Sequence, residues 1–421
     1  MKQQPFFAGA GRAMIELPTA FFPTEGFNGI HDALYTRVLL LQQGVNLAIV
    51  SLELTSLPTE EVVTLQRIVA TEADLAPEQV WICVTHTFSA PHIRREQRLK
   101  TEEEHHKNSL LRQAIGQSVG KATMAAVANR TEARFGVGAA TCSVNVNRDI
   151  STVQGWWLGS NDAGLSDKTV TVLRFENLNG ELIAILFNYA VQSSVMEGVI
   201  LSDGERLVSG DLAGAASRYI EQEYNEQVVA LYCIGAAGDQ APAYKARYIE
   251  TDCREFLREQ DVPEQGFILA KLLGNRLGTA VVLAAEKIVC SVPEHLSIQE
   301  YSCLCPSQEM PQNLWDIQPS TKYEYVPAGE REVPVAIIRI ENVILVGVQP
   351  ELCCCTFLEI KAGSVFPYTI VCTLVNGSAK YMADQHSYMR RTYEAMNSPF
   401  AVGAAELLRD KVLTVLRDMQ R

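Results

Sequence analysis

The chain has no excess of positive charge: 36 Lys and Arg stand against 49 Asp and Glu in 421 residues, a net charge of −13. Nucleic acid and anionic bilayers are held by basic surfaces that release counterions, so this balance argues against both partners. The amino terminus, residues 1–11, lacks a basic segment followed by an apolar run, and no secretory signal is read there. No apolar stretch approaches the roughly 20 residues that cross a bilayer. A soluble, cytoplasmic protein is the expectation. A disulfide framework is missing too, because the 11 cysteines are odd in number and fall in apolar runs such as Trp81 to Val84 and Leu231 to Ile234. Cys353, Cys354 and Cys355 are consecutive, and adjacent helical residues point about 100° apart, so they are read as small core hydrophobes rather than metal ligands. Cys303 and Cys305, on one strand face, are read the same way.

What the chain does have is a recurring hydrophobic pattern. Two apolar strands joined by a tight turn, an amphipathic helix and a returning apolar strand occur three times. The first copy runs Leu34 to Gln42, Leu47 to Leu54, a helix opening at Pro58 with Glu60 and Glu61, then Val80 to Val84. Proline followed by carboxylates suits a helix start, where free amides and the dipole favour negative charge. The second runs Thr169 to Glu176, Leu182 to Ala190, a helix from Asp211 to Tyr224 and Val228 to Ile234; Ala213, Ala216 and Ile220 give that helix one apolar face. The third runs Val335 to Ile340, Val343 to Val348, a helix from Leu352 to Ile360 and Tyr368 to Val375. The pattern predicts an α/β fold of mixed sheets covered by helices, with three strand-pair, helix, strand units around a common cleft. At about 150 residues per domain the length suggests two or three domains, while α/β folds often put far more chain around one core, so one large domain over residues 1–421 stays open.

In open α/β sheets ligands bind beyond the carboxyl ends of the strands. Polar residues gather there in every copy. Glu53 and the run Thr85 to His92 follow the first copy's strands; Gln192 and the run Gly235 to Pro242, with Asp239, Gln240 and Ala241, follow the second's; Glu351 and the run Asn376 to Tyr381 follow the third's. His86 is the sharpest candidate, since an imidazole after a fully apolar strand can ligate a metal or move a proton. His92 is a second imidazole on the same loop. Glu351 is a ligand or a helix-end acceptor. The small-residue loop Gly235 to Gly238 could turn backbone amides to an oxyanion, yet it lacks the Lys and Ser/Thr of a nucleotide-binding loop. His105 and His106, after three glutamates, are read as a solvated helix start, and His295 is given no role.

Several stretches, in order along nearly the whole chain, resemble the catalytic domain of the neutral ceramidase family and its shorter bacterial relatives. They are Gly9 to Arg12, Gly29 to Arg37, Thr85 to His92, Asn147 to Gly159, Ser209 to Ala215, Gly235 to Pro242, Pro350 with Glu351, and Tyr381 to Tyr393. The family's additional carboxyl-terminal immunoglobulin-like domain is not expected here. The resemblance implies a zinc-dependent amidase, in which a metal polarises an amide attacked by a serine or an activated water. It places metal ligands at His86, Glu351 and Tyr381, and a second active-site tyrosine at Tyr393.

Three departures accompany the resemblance. The family's second zinc histidine falls on Gln192, another histidine falls on Phe88, and the serine proposed as nucleophile falls on Ala241. A carboxamide is a poorer zinc ligand than imidazole, so zinc or another divalent metal is expected only with help from the neighbouring loops. Glu53, Asp211, Asp239 and His92 are the candidates to supply it, and an oxygen-rich set would favour Mg²⁺, Mn²⁺ or Ca²⁺. Tyr393, His92 and Asp239 are the candidates for proton transfer. Phe88, Ala241, Gln240, Asp211 and Glu53 are expected to line the cleft. The leading expectation is a ceramidase-like hydrolase of an amide or related bond in a small molecule, with ceramide itself not the expected substrate. The alternative is a non-catalytic relative that keeps the pocket to bind a small ligand or regulate a partner.

Overall fold

The computed structural model describes residues 4–251, 254, 257–311 and 313–420. Among them are eight α-helices: α1 (Thr59–Ala73), α2 (Glu102–Ala128), α3 (Asp211–Glu223), α4 (Gly266–Ala285), α5 (Cys354–Gly363), α6 (Gln385–Arg390), α7 (Tyr393–Met396) and α8 (Ala404–Gln420).

All three expected units form, with one pairing rule. Tyr35–Gln43 lies antiparallel to Val45–Leu52, α1 crosses over, and Val80–Val84 returns parallel to Val45–Leu52. The second unit repeats this with Thr169–Asn177, Leu182–Tyr189, α3 and Val229–Ile234. The third repeats it with Pro327–Ile340, Val343–Val348, α5 and Tyr368–Cys372. A parallel return needs a crossover connection, which is why a helix sits between the last two strands of each unit.

The first two units join through Phe7–Met14 and Thr131–Thr141 into one eight-stranded sheet, which runs from Val229–Ile234 at one edge to Val80–Val84 at the other. The third unit, extended by Leu296–Gln308, makes a separate four-stranded sheet. Alternation along the strands explains the stacking. Val38 and Leu40 join the core beneath α1 to α4, whereas Leu39 and Leu41 join a second core shared with Ile338, Leu345 and Ile370 of the smaller sheet. The smaller sheet's opposite face, with Ile337, Ile344 and Val346, packs on α5 and α8 through Phe357, Leu408 and Val412. The order of layers is therefore helices, sheet, sheet, helices. Both sheets are mixed and covered by helices, as expected, each on its outer face, while their inner faces pack on one another. Strands buried on both faces need continuous apolar runs, and each fully buried Val or Leu stabilises by roughly 1.5–3 kcal/mol.

The returning strands of the three units meet at one seam. Cys83, Cys233 and Cys372 occupy corresponding places near their ends, each at most 1% exposed, and the first two thiols are 3.7 Å apart. Thr373 N donates to Ile234 O at 3.1 Å and Asn376 N donates to Ile82 O at 2.8 Å, while Ile82 N donates to Asn376 Oδ1. The loops that follow all three strands consequently leave the core side by side.

The ten described cysteines are free, and Cys253 lies outside the described residues. Cys303, Cys305, Cys353 and Cys354 are buried, as their apolar setting implied. One expectation is corrected: α4, at 20 residues, is long and apolar enough to cross a membrane by length and composition. Its Ala270, Leu273, Leu277 and Val281 are at most 6% exposed, in the core beneath the larger sheet.

The seam between sheets is tight enough to test. A Cβ at Gly347 would stand 2.0 Å from Cζ2 of the buried Trp81, so Gly347→Ala should cost about 1–3 kcal/mol in denaturant unfolding. Trp81→Phe in the same chain should recover part of that loss; an unchanged midpoint for the single variant would show that the sheets are not in contact there.

Candidate functional site

His86, two residues past the strand Val80–Val84, is buried, and its backbone is left-handed, φ 59°. That conformation is uncommon for a residue with a Cβ, and it turns the ring across the end of its own strand. Nδ1 lies 2.6 Å from Thr55 O, which can only accept, so Nδ1 carries a hydrogen and Nε2 points the other way. There Nε2 meets Glu351 Oε2 at 3.0 Å, with both side chains buried. Glu351 is placed by a short parallel pairing of Glu351–Leu352 with Tyr381–Met382, so one contact fixes both Glu351 and Tyr381.

Gln192 Nε2 donates to the same Glu351 oxygen at 3.0 Å, and its Oε1 accepts from Arg148 Nη1 at 2.8 Å. Because a guanidinium only donates, this second bond fixes which end of the amide is which. Arg148 is held from behind by Glu394, with Nε and Nη2 at 2.7 and 2.6 Å from Oε1. Its guanidinium carbon lies 5.2 Å from the Tyr381 ring and 5.9 Å from the Tyr393 ring. Phe88 sets its ring edge-on to His86 at 4.6 Å.

Charge is balanced pair by pair. Burial alone would push the His86 imidazolium down, but Glu351, and then the Thr55 carbonyl, outweigh it and hold the ring above its usual value. Burial would likewise raise Glu351, and His86, Arg148 and Gln192 together hold it below the carboxylate range. The Tyr381 hydroxyl is driven up, by burial first and then by Glu351, so it stays protonated as a donor. Asp149 is pushed well above the carboxylate range, by burial and then by Glu394 and Asp239, and in its protonated form it donates to Glu394.

The structure gathers His86, Gln192, Glu351, Tyr381, Tyr393 and Phe88 into one site. Asp239 lies just behind it: its backbone carbonyl accepts Arg148 N, and its carboxylate takes Asn147 Nδ2 and Cys354 N at 3.1 and 2.8 Å, while burial pushes it up to about 7. Ala241 is buried in a short strand against Val146, and Gln240 turns its amide to Leu165 O. Three candidates stand apart. Glu53 is fully buried against Arg37, at 2.6 Å, because an arginine this deep requires carboxylates, and Glu221 is its other partner. Asp211 caps the amides of Val195 and Met196 at the start of α3. His92 is exposed and paired with Glu25 at 2.8 Å in a different surface pocket. The Gly235 to Gly238 loop is not an anion cradle either: Gly235 N and Gly238 N are bound to Tyr189 O and Leu352 O.

Sequence reasoning missed Arg148, Glu394 and Glu197. An arginine between the apolar strand residues Val146 and Ile150 was the available signal for the first. Glu197 is seated by Lys245 at 2.7 Å with its side chain 40% exposed. Burial would raise it, but Lys245, Arg148 and His86 hold it below the carboxylate range.

A four-ligand zinc does not fit these residues. His86 has the tautomer of a metal ligand, its other nitrogen on a carbonyl, and Glu351 is in place. Gln192, however, presents its NH₂ to them because Arg148 holds the oxygen, and an NH₂ cannot coordinate. The Arg148 guanidinium adds a fixed positive charge beside the position. Among the described residues no three His, Cys, Asp or Glu side chains are arranged to hold a metal.

No protein-family model and no curated protein matches this sequence. Solved structures do match. Neutral ceramidase from Pseudomonas aeruginosa superposes with a TM-score of 0.75 at 16% identity, over 99% of this chain and 75% of that one. A ceramidase complexed with C2 gives 0.74 at 16% identity, over 99% and 76%. The chain has the α/β fold of the neutral ceramidases.

The buried pair sets a pH window. The raised His86 value makes its contribution complete below the unfolded value near 6.5 and lost as pH rises through the folded one. The lowered Glu351 value makes its contribution present above the unfolded value and lost as pH falls through the folded one. Glu351→Gln should therefore lower the His86 pKa by about one unit or more, read from the imidazole signals in an NMR titration. An unmoved His86 titration would show that the pair does not form.

Proposed function

We propose that the chain is a ceramidase-like hydrolase, acting as one catalytic domain on an amide or related bond of a small molecule other than ceramide. The observation that carries this reading is the 3.0 Å pair of His86 Nε2 and Glu351 Oε2, set beside Arg148 and two tyrosines at the carboxyl ends of the strands. Ala241 offers only a methyl group, so the nucleophile is water rather than a side chain. Neutral His86, steadied at Nδ1 by Thr55 O, takes the proton of that water at Nε2, and Glu351 stabilises the imidazolium that results. Arg148 and the protonated Tyr381 hydroxyl are the donors for the oxygen on which negative charge develops. His86 stays protonated to above its ordinary value, so turnover should rise with pH through neutrality.

A second reading, a non-catalytic binder of a small ligand, is favoured by one feature. The chain of hydrogen bonds from Arg148 through Gln192 to Glu351 completes itself without any added group. A panel of short N-acyl amides separates the two. The hydrolase reading expects turnover by the native chain, a loss of about 10²–10⁴-fold in kcat for His86→Ala, and no release of fatty acid from a short-chain ceramide. Binding of the amides without turnover would establish the binder, and robust ceramide hydrolysis would overturn the exclusion drawn from Ala241.

A further inference from the structure

Two consecutive tryptophans, Trp156 and Trp157, lie on the hairpin that also supplies Arg148. The hairpin pairs Asn145–Thr152 with Gly155–Asn161. Neighbouring strand residues point to opposite faces, so the two indoles meet different surroundings. Trp156 has the Arg390 guanidinium over its ring, 4.8 Å from the centroid. Trp157 pairs with Ile150, two residues along the strand from Arg148, which sets it on the Arg148 face of the hairpin. There its ring is 5.6 Å from that of Tyr393 and at 86° to it. Among the described residues Tyr393 is its one ring partner, and the Trp157 side chain is only half-buried.

Trp157, Tyr393 and Tyr381 therefore run in a row beside the guanidinium. Tyr381 is 6.0 Å from Tyr393 at 66°, and Arg148 lies against both tyrosine rings. The row is held in place. Asn397 Nδ2 donates to the Tyr393 hydroxyl at 3.1 Å, which fixes that ring. The hairpin turn is pinned at Gly155, φ 130°, where a Cβ would stand 2.8 Å from the backbone of Ser320. Tryptophan is on average a highly buried residue. One left half-covered and set at right angles to a second ring makes an apolar corner beside the buried polar groups, the composition of a small-molecule site. Two perpendicular rings suit a third, because a flat guest stacks on one wall while meeting the other edge-on, and both arrangements are favoured between aromatics. A saturated group of the same size fills the volume without that gain.

We propose that Trp157 is a specificity residue and that, with Tyr393, it receives an aromatic ring, so that the substrate is a small amide carrying an aryl group. The word substrate rests on the hydrolase reading; the ring subsite itself does not.

Ligand-observed NMR titration with the full chain reads affinity whether or not the amide is cleaved. The N-methylamide of phenylacetic acid carries its ring on the acyl side, and its isomer N-benzylacetamide carries it on the amine side; each is compared with its cyclohexyl counterpart. At least one aromatic member should bind about 3- to 10-fold tighter than its counterpart, and the arm with the larger preference shows on which side of the amide the ring sits. Trp157→Leu should remove that preference, and Trp157→Phe, which restores a ring, should keep it. A ratio of affinities between matched ligands does not respond to a fraction of unfolded chain, so its loss is not unfolding. Equal affinity for aromatic and cyclohexyl members, binding by none of them, a preference that survives Trp157→Leu, or one lost as fully in Trp157→Phe overturns the proposal. Ring preference in binding with no hydrolysis of any amide leaves the subsite standing and rejects the hydrolase; hydrolysis without ring preference does the reverse.

Discussion

The site depends on one constraint, the meeting of three returning strands at a single buried seam. Val80–Val84, Val229–Ile234 and Tyr368–Cys372 each run parallel to the strand before the crossover helix, so each unit must deliver its carboxyl end to the same side. Two of these strands belong to the larger sheet and one to the smaller, and backbone hydrogen bonds from Thr373 and Asn376 tie the third to the other two. Small side chains are required where they meet, and each strand has a cysteine there. Once the seam is set, His86, Gln192 and Glu351, from three different units, have little choice but to be neighbours.

Arg148 then organises what the seam brings together. It comes from a strand outside the three units, in the small sheet of Asn145–Thr152, and is buried. A buried guanidinium has to be paired, and Glu394 does so. The outer face of the same cation orients the Gln192 amide. That single orientation turns a position the resemblance gave to a metal ligand into a hydrogen-bond donor.

The likeness to neutral ceramidase at 16% identity has a simple reading in these terms. Layer order and strand pairing tolerate almost any apolar side chain of suitable size, so the fold persists while sequence drifts. Of the short stretches that carry the resemblance, Thr85 to His92 and Gly235 to Pro242 follow strand ends, whereas Gly9 to Arg12 lies inside Phe7–Met14.

Much of this was open to reading from the residues. Apolar runs such as Val343 to Val348, with turns and a crossover helix at regular intervals, determined the three units and the side on which chemistry collects, because hydrophobic period is local and survives without partners. His86, Gln192, Glu351 and Tyr381 could be marked for the same reason, each following an apolar strand. What the sequence could not contain was the partner of each charge. Glu53 and Asp211 look like cleft carboxylates, yet Arg37 and the amides beyond Ser194 claim them; His92 sits near His86 in the chain, yet Glu25 holds it elsewhere. The stacking of two sheets and the direction of the Gln192 amide are long-range facts, since a hydrogen bond or an ion pair is decided by which groups tertiary packing brings within about 3 Å.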